Sequence, residues 1–104
     1  GISSLQYIFS RIFVDMNDVY ITSSHGKVPD FDYILSHKKV CMVTDSKIGP
    51  HEISREIQKR NLNKNIVVGE NLSYEDEKIT IGKPEDILAV EKFDMNVVVI
   101  LDEE

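Results

Sequence analysis

Apolar residues fall at Leu5, Ile8, Phe9, Ile12 and Phe13, in steps of 3, 1, 3 and 1. That spacing keeps one face of a helix dry and predicts a helix over residues 2–14, with Ser3 or Ser4 able to cap its start. Residues 18–23 alternate, Val19 and Ile21 sharing one face and Tyr20 and Thr22 the other, which predicts a strand with one drier face. Pro29 precedes a short helical pattern over residues 30–37, with Phe31, Ile34 and Leu35 inward. Residues 40–43 form an unbroken apolar run, which suits a strand buried on both faces of a largely parallel sheet.

Pro50 stands where the first residue of a helix would, and Ile53 and Ile57 lie one turn apart. They predict a helix over residues 50–60 with a charged outer face. Residues 66–68 read as a strand stopped by Gly69, and residues 78–81 as a short alternating strand. Gly82-Lys83-Pro84 opens a helix expected to run to about Lys92, with Ile87, Leu88 and Val90 inward. Residues 96–101 are the last and most apolar strand. The order helix, strand, helix, strand, helix, strand, strand, helix, strand predicts an α/β fold. Its sheet is expected to be mixed and five-stranded, with helices on both faces.

At 104 residues the chain is the size of one domain. Its 12 basic and 18 acidic residues leave a net charge of −6, so electrostatics supply no general reason to bind nucleic acid or an anionic membrane. The longest apolar run, residues 97–101, is far below the roughly 20 residues that span a bilayer. No secretory-type start is visible, which makes a cytoplasmic protein the expectation. Cys41 is the one cysteine, and the three histidines show no metal-ligand spacing, so no metal is expected and Cys41 reads as a small buried hydrophobe. Gly1 stands where a Met would, which suggests a chain cut from something longer or one whose start was removed.

In α/β sheets, ligands gather beyond the carboxyl ends of strands. Three polar or glycine-containing loops leave strands here: Ser23-Ser24-His25-Gly26, Thr44-Asp45-Ser46-Lys47 and Gly69-Glu70-Asn71-Leu72. If their strands run parallel, the loops converge on one edge. Each also has a plainer reading. His25-Gly26 serves equally as a polar turn with Gly26 at positive φ, Asp45 or Ser46 as a cap for the helix at Pro50, and residues 69–72 as a connection into the next strand. No phosphate loop and no dinucleotide fingerprint is present.

Several segments, taken in order, resemble the tetrapyrrole methylases, and within them the subfamily acting on carbon 5 of precorrin-6Y or cobalt-precorrin-7 in cobalamin biosynthesis. Gly1-Ile2-Ser3-Ser4-Leu5 is similar to the segment joining that family's two domains. Ser24-His25-Gly26 resembles its Ser-x-His-Gly turn, Val43-Thr44-Asp45-Ser46 its Leu-Thr-Asp-Ser segment, and residues 68–77 its Gly-Glu-Asn-Leu-Gly-Tyr-x-Asp-Glu stretch. Asn96-Val97-Val98-Val99-Ile100 resembles its terminal strand. The Gly-x-Gly-x-Gly-Asp loop of the family's first domain has no counterpart.

The resemblance therefore implies the second, C-terminal domain alone, with about half of an S-adenosylmethionine site and no turnover by itself. It assigns cofactor contact to Thr44, Asp45, Gly69, Glu70, Asn71 and Leu72, and substrate contact to Ser24, His25 and Gly26. Residues 1–4 would line the cleft from the junction side. His25 is the single candidate for a general base. The implied partners are a corrinoid precursor, the missing N-terminal domain and, through apolar surface left uncovered, a second copy in a homodimer. Two other classes compete with this reading: a non-enzymatic dimerisation or assembly module, and a small nucleotide-binding α/β domain. The Thr44-Asp45 and Gly69-to-Leu72 loops favour the methylase, because a purely structural module needs neither.

Overall fold

The computed structural model describes residues 4–24 and 28–103. In chain order the elements are α1 (Ser4–Arg11), β1 (Tyr20–Ser23), α2 (Phe31–Ile34), β2 (Lys39–Val43), α3 (Pro50–Lys59), β3 (Lys64–Glu70), β4 (Lys78–Gly82), α4 (Pro84–Leu88) and β5 (Asn96–Asp102). The expected mixed five-stranded sheet is present, in the order β1-β2-β5-β3-β4.

The final strand of the chain occupies the middle of that sheet. Val98 and Ile100 of β5 enter one core with Val40 and Met42 of β2, under α2, α3 and α4. Val97 and Val99 enter a second core on the opposite face, with Cys41 and with Ile8 and Phe9 of α1. Helices on both faces thus explain the unbroken apolar runs of β2 and β5, because Val40 to Met42 and Val97 to Ile100 are buried whichever face they point to. Each fully buried Ile or Val contributes about 1.5–3 kcal/mol relative to exposure. The parallel neighbours expected for β2 are only half present. It pairs in parallel with β1 but antiparallel with β5. A continuous apolar run reports coverage on two faces and carries no information on the direction of the neighbouring strand.

Four local expectations are corrected. The first helix ends at Arg11 rather than at residue 14. Val14 N–H donates to the Phe9 carbonyl and Phe13 N–H to that of Ser10, closing the helix with Phe13 in the left-handed region at φ 59 and 96% exposed. The drier face of β1 is not dry at Ile21, which is 49% exposed because β1 is an edge strand. Gly69 does not stop β3, and it pairs with Val97 on one side and Ile79 on the other. The helix after Pro84 ends at Leu88 rather than near residue 92. A ring nitrogen of His51 lies 2.6 Å from the Val90 carbonyl, and Phe93 packs back on the core beside His51, so the chain leaves the helical path. Ser3 lies outside the described residues, as does the side chain of Ser4, and with them the cap expected there.

Because β5 runs opposite to both β2 and β3, strands β1, β2 and β3 all point the same way. Their carboxyl ends share one edge, together with the start of β5. Among the described residues no helix is long and apolar enough to cross a membrane.

Candidate functional site

The edge formed by the carboxyl ends of β1, β2 and β3 is tied together by four polar joints. Ser24, at the end of β1, donates its N–H to the Val43 carbonyl at 3.0 Å. Its buried hydroxyl lies 3.4 Å from that same oxygen and 3.3 Å from the Ile48 carbonyl. The Thr44 hydroxyl, just past β2, shares its proton between the Asn96 carbonyl at 2.9 Å and Asn96 Oδ1 at 2.7 Å. Glu70, at the end of β3, accepts the Asp94 N–H at 2.9 Å. Asn71 donates its N–H to the Met95 carbonyl at 3.0 Å. Each joint crosses between segments far apart in the chain, so the edge is built by tertiary contacts throughout.

Between the ends of β2, β3 and β5 lies a cleft of about 480 Å³. Val43, Thr44 and Gly69 reach it from the strand ends, Leu72, Ser73 and Tyr74 from the loop after β3, and Met95, Asn96 and Val97 from the opening of β5. Gly69 is required there for space. A Cβ on it would stand 2.7 Å from Ile8 Cδ1 and 2.8 Å from Leu72 Cδ2, both well inside van der Waals contact. Its missing side chain lets Leu72 fold down over the strand and form a wall. Thr44 also borders a shallower hollow beside the cleft, shared with Asp45, Ser46, Asp94 and Asn96.

The residues assigned by sequence fall into three groups. Thr44, Gly69 and Leu72 meet in the cleft. Asp45 lies in the adjoining hollow, where its carboxylate accepts the N–H groups of Lys47 at 2.9 Å and Ile48 at 2.8 Å. It therefore closes its own loop and does not cap α3. The cap is Gly49, whose N–H donates to Glu52 Oε1 at 2.9 Å. Glu70 is buried and turned to Asp94, while the Asn71 amide bridges Asp76 and Asp94 at 3.1 and 3.3 Å. These two side chains shape the loops around the cleft. Ser24 is 3% exposed and committed to Val43 and Ile48. His25 and Gly26 lie outside the described residues, as do Gly1, Ile2 and Ser3.

Sequence reasoning missed Ser73, Tyr74, Met95, Asn96 and Val97 as cleft residues. In sequence, Asn96 and Val97 read only as the start of a strand. Ser73 and Tyr74 stand within the 68–77 stretch, which does not single them out, and Met95, Asn96 and Val97 reach the cleft through the antiparallel insertion of β5 between β2 and β3. The described lining carries no basic side chain, no carboxylate and no thiol. Such a site binds by shape, by backbone and amide hydrogen bonds and by apolar contact. Cys41 is fully buried, and burial pushes its thiol up to about 12 from an ordinary 9.0, so it takes no part in chemistry near neutrality.

No family model matches the chain. It is 44% identical over 104 residues to the cobalt-precorrin-7 C(5)-methyltransferase of Salmonella typhimurium, a match spanning 99% of this chain and 51% of that protein. The chain thus spans about half the length of the curated relatives it matches. Among solved structures, the precorrin-6Y methylase of Archaeoglobus fulgidus superposes with a TM-score of 0.66 at 21% identity, covering 99% of this chain and 46% of that one. The uroporphyrin-III C-methyltransferase of Thermus thermophilus, solved with S-adenyl homocysteine, gives a TM-score of 0.63 at 15% identity, covering 82% of this chain and 42% of that one.

Proposed function

We propose that the chain belongs to the tetrapyrrole methylases and is the C-terminal domain of a corrinoid carbon-5 methyltransferase, a reading supported by its 44% identity to a cobalt-precorrin-7 C(5)-methyltransferase. Its substrate is precorrin-6Y or cobalt-precorrin-7, and its cleft receives the nucleoside end of S-adenosylmethionine. The observation carrying this reading is the meeting of Thr44, Gly69 and Leu72 at the carboxyl edge of three co-directional strands. The residues present fit an adenosyl group. Leu72, Met95 and Val97 offer an apolar slot for a flat base, Asn96 and Thr44 offer hydrogen-bonding edges, and the bare Gly69 leaves room for close approach.

When bound, the methyl donor supplies an activated sulfonium methyl, so the protein's contribution is alignment and exclusion of water. The described lining supplies those two functions and no imidazole, carboxylate or thiol. His25 is the proposed base, and His25 and Gly26 the proposed substrate side, while Ser24, buried and bonded to Val43 and Ile48, fixes the end of β1. Asp45, Glu70 and Asn71 act on the cofactor through the loops they shape.

Tyr74 and Met95, 65% and 69% exposed, stand on the open side of the cleft. A second domain closing over that side buries them and completes the site, which accounts for a one-domain chain carrying half of it. Ile21 and Ile81, 49% and 64% exposed, extend from the two edge strands and support self-association as a homodimer. A cytoplasmic location is part of the same proposal.

The test is calorimetric titration of S-adenosylhomocysteine into the two-domain protein. Saturable one-site binding, abolished by Leu72→Asp, is the expected result. A two-domain protein that folds and binds no S-adenosylhomocysteine would sink the reading.

A further inference from the structure

The loop of residues 71–77 forms one wall of the cleft through Leu72, Ser73 and Tyr74. It is held in an unfavourable shape. Ser73, at φ 68, sits in the left-handed region without being glycine or asparagine, at a cost on the order of 1 kcal/mol, and Asn71 beside it, at φ 48, shares that region as asparagine readily does. Left to itself, a loop of this kind relaxes. Something must hold it.

Glu77, at the far end of the loop, collects donors from two directions. The Ser73 N–H reaches Oε1 at 2.8 Å. From α1, Arg11 Nη2 lies 2.9 Å from Oε2, and the Tyr7 hydroxyl bonds to the same carboxylate. Tyr7 and Arg11 are four residues apart and so share one face of α1. The helix itself is seated on the sheet by Ile8 and Phe9, both buried. One carboxylate, its side chain 14% exposed, thereby ties the wall of the cleft to a fixed helix. The Tyr7 hydroxyl, the Ser73 N–H and the Arg11 guanidinium together hold that carboxyl below the usual glutamate range, as expected of an ion that its surroundings favour.

We propose that Glu77 is a positioning residue for the cleft: its carboxylate clamps Ser73 to α1 and so keeps the Leu72–Tyr74 wall in the shape that receives the ligand, without touching the ligand itself. The inference rests on the adenosyl reading of the cleft for the identity of that ligand. The clamp itself stands on the contacts of Glu77 alone. It also assigns Tyr7 and Arg11, which line no part of the cleft, a role in ligand affinity.

The test compares Glu77→Ala, Glu77→Asp and Tyr7→Phe with the unaltered two-domain protein. Tyr7→Phe removes a single donor and leaves the helix face intact, so it keeps the question open to measurement should Glu77→Ala fail to fold. Amide hydrogen exchange is read without ligand, and S-adenosylhomocysteine affinity by calorimetry. In Glu77→Ala, exchange across residues 71–76 rises about tenfold and affinity falls about tenfold, the equivalent of one charge-assisted hydrogen bond. Amides of β2 and β5 keep their protection. Glu77→Asp restores part of both effects, and Tyr7→Phe shows a smaller change in each. Unchanged loop exchange overturns the clamp. Faster loop exchange with unchanged affinity overturns the positioning role. Failure of the unaltered protein to bind S-adenosylhomocysteine overturns the adenosyl reading and the affinity half of this proposal, while the exchange measurement still decides the clamp.

Discussion

The Thr44 hydroxyl lies 2.7 Å from Oδ1 of Asn96, although 52 residues separate the two. The bond joins the end of β2 to the start of β5 and forms the rim between the cleft and its neighbouring hollow. Removing Thr44 takes the donor from Asn96 Oδ1, whereas removing the Asn96 side chain leaves the Thr44 hydroxyl its bond to the position-96 carbonyl but also ends the Asn96 Nδ2 donation to the Asp94 carbonyl. Thr44→Val and Asn96→Ala are each expected to destabilise the fold by about 1 kcal/mol. For a domain this size, that corresponds to a melting temperature roughly 4–8 °C lower. The double variant is expected to lose less than the sum of the two single ones, because both remove the Thr44–Asn96 side-chain bond while each also removes a bond of its own. Urea denaturation of the four proteins measures this, and strictly additive losses would show that the two residues act independently.

Gly69→Ala places a methyl group against the tips of Ile8 and Leu72. Both are ends of flexible side chains, so the fold gives way rather than fails, at about 1–3 kcal/mol. Leu72 is the softer neighbour, being only half-buried, and it moves toward the cleft it lines. Ligand affinity is therefore expected to fall by more than the loss of stability alone would suggest. Leu72→Ala in the same chain makes room for the added methyl and should recover part of the stability. A Gly69→Ala protein with unchanged affinity would argue that Leu72 does not bound the ligand.

Phe13 occupies the position after α1 where glycine or asparagine is favoured, and it is almost fully exposed. The equivalent position after α3 is Asn61, at φ 53. Phe13→Gly relieves the left-handed strain and removes no buried surface, so it is expected to stabilise the protein by about 1 kcal/mol. A rise in the thermal midpoint is the readout. A fall would mean that Phe13 makes a contact in solution that strengthens the fold.

Burial raises the Cys41 thiol to about 12 from 9.0. The folded protein therefore holds this proton more tightly than the unfolded chain does. The corresponding stability is fully present below about pH 9 and is lost as pH rises toward 12, by up to about 1.4 kcal/mol per pH unit. Cys41→Ala is expected to flatten that alkaline decline while lowering stability near neutrality through a lost buried side chain. At neutral pH, the native thiol should resist disulfide reagents and react only at the rate of unfolding. Rapid labelling of native protein would contradict its burial.

How much could be read before the structure depended on the range of the interaction involved. The helical face at Leu5, Ile8, Phe9 and Ile12, and the covered runs at Val40 to Met42 and Val97 to Ile100, are written into residue spacing. Burial of a face repeats with the local period. The resemblance also pointed to Thr44, Gly69 and Leu72, which meet in one cleft. Asp45, Glu70 and Asn71 stood in the same motifs, yet their side chains are turned to Ile48, Asp94 and Asp76. A motif names a segment and leaves open which way each side chain faces. The early ends of α1 and α4 were also illegible: α1 closes locally through Phe13 in the left-handed region, which no glycine or asparagine marks, and α4 ends where Val90 meets His51 of another element.

The sequence by itself determined which segments are helix and strand, that both faces of the sheet would be covered, and which loops carry polar chemistry. These follow from periodicity and composition within a few residues. Only the tertiary structure decided that the last strand enters the centre of the sheet antiparallel to its neighbours, carrying Met95 and Asn96 to the cleft. The same holds for the meeting of Tyr7, Arg11, Ser73 and Glu77 at one carboxylate. A strand's side-chain pattern records that its faces are buried, and an ionisable residue records only its charge. Neither records its neighbour, which is chosen by hydrogen bonding and packing across the whole chain at once.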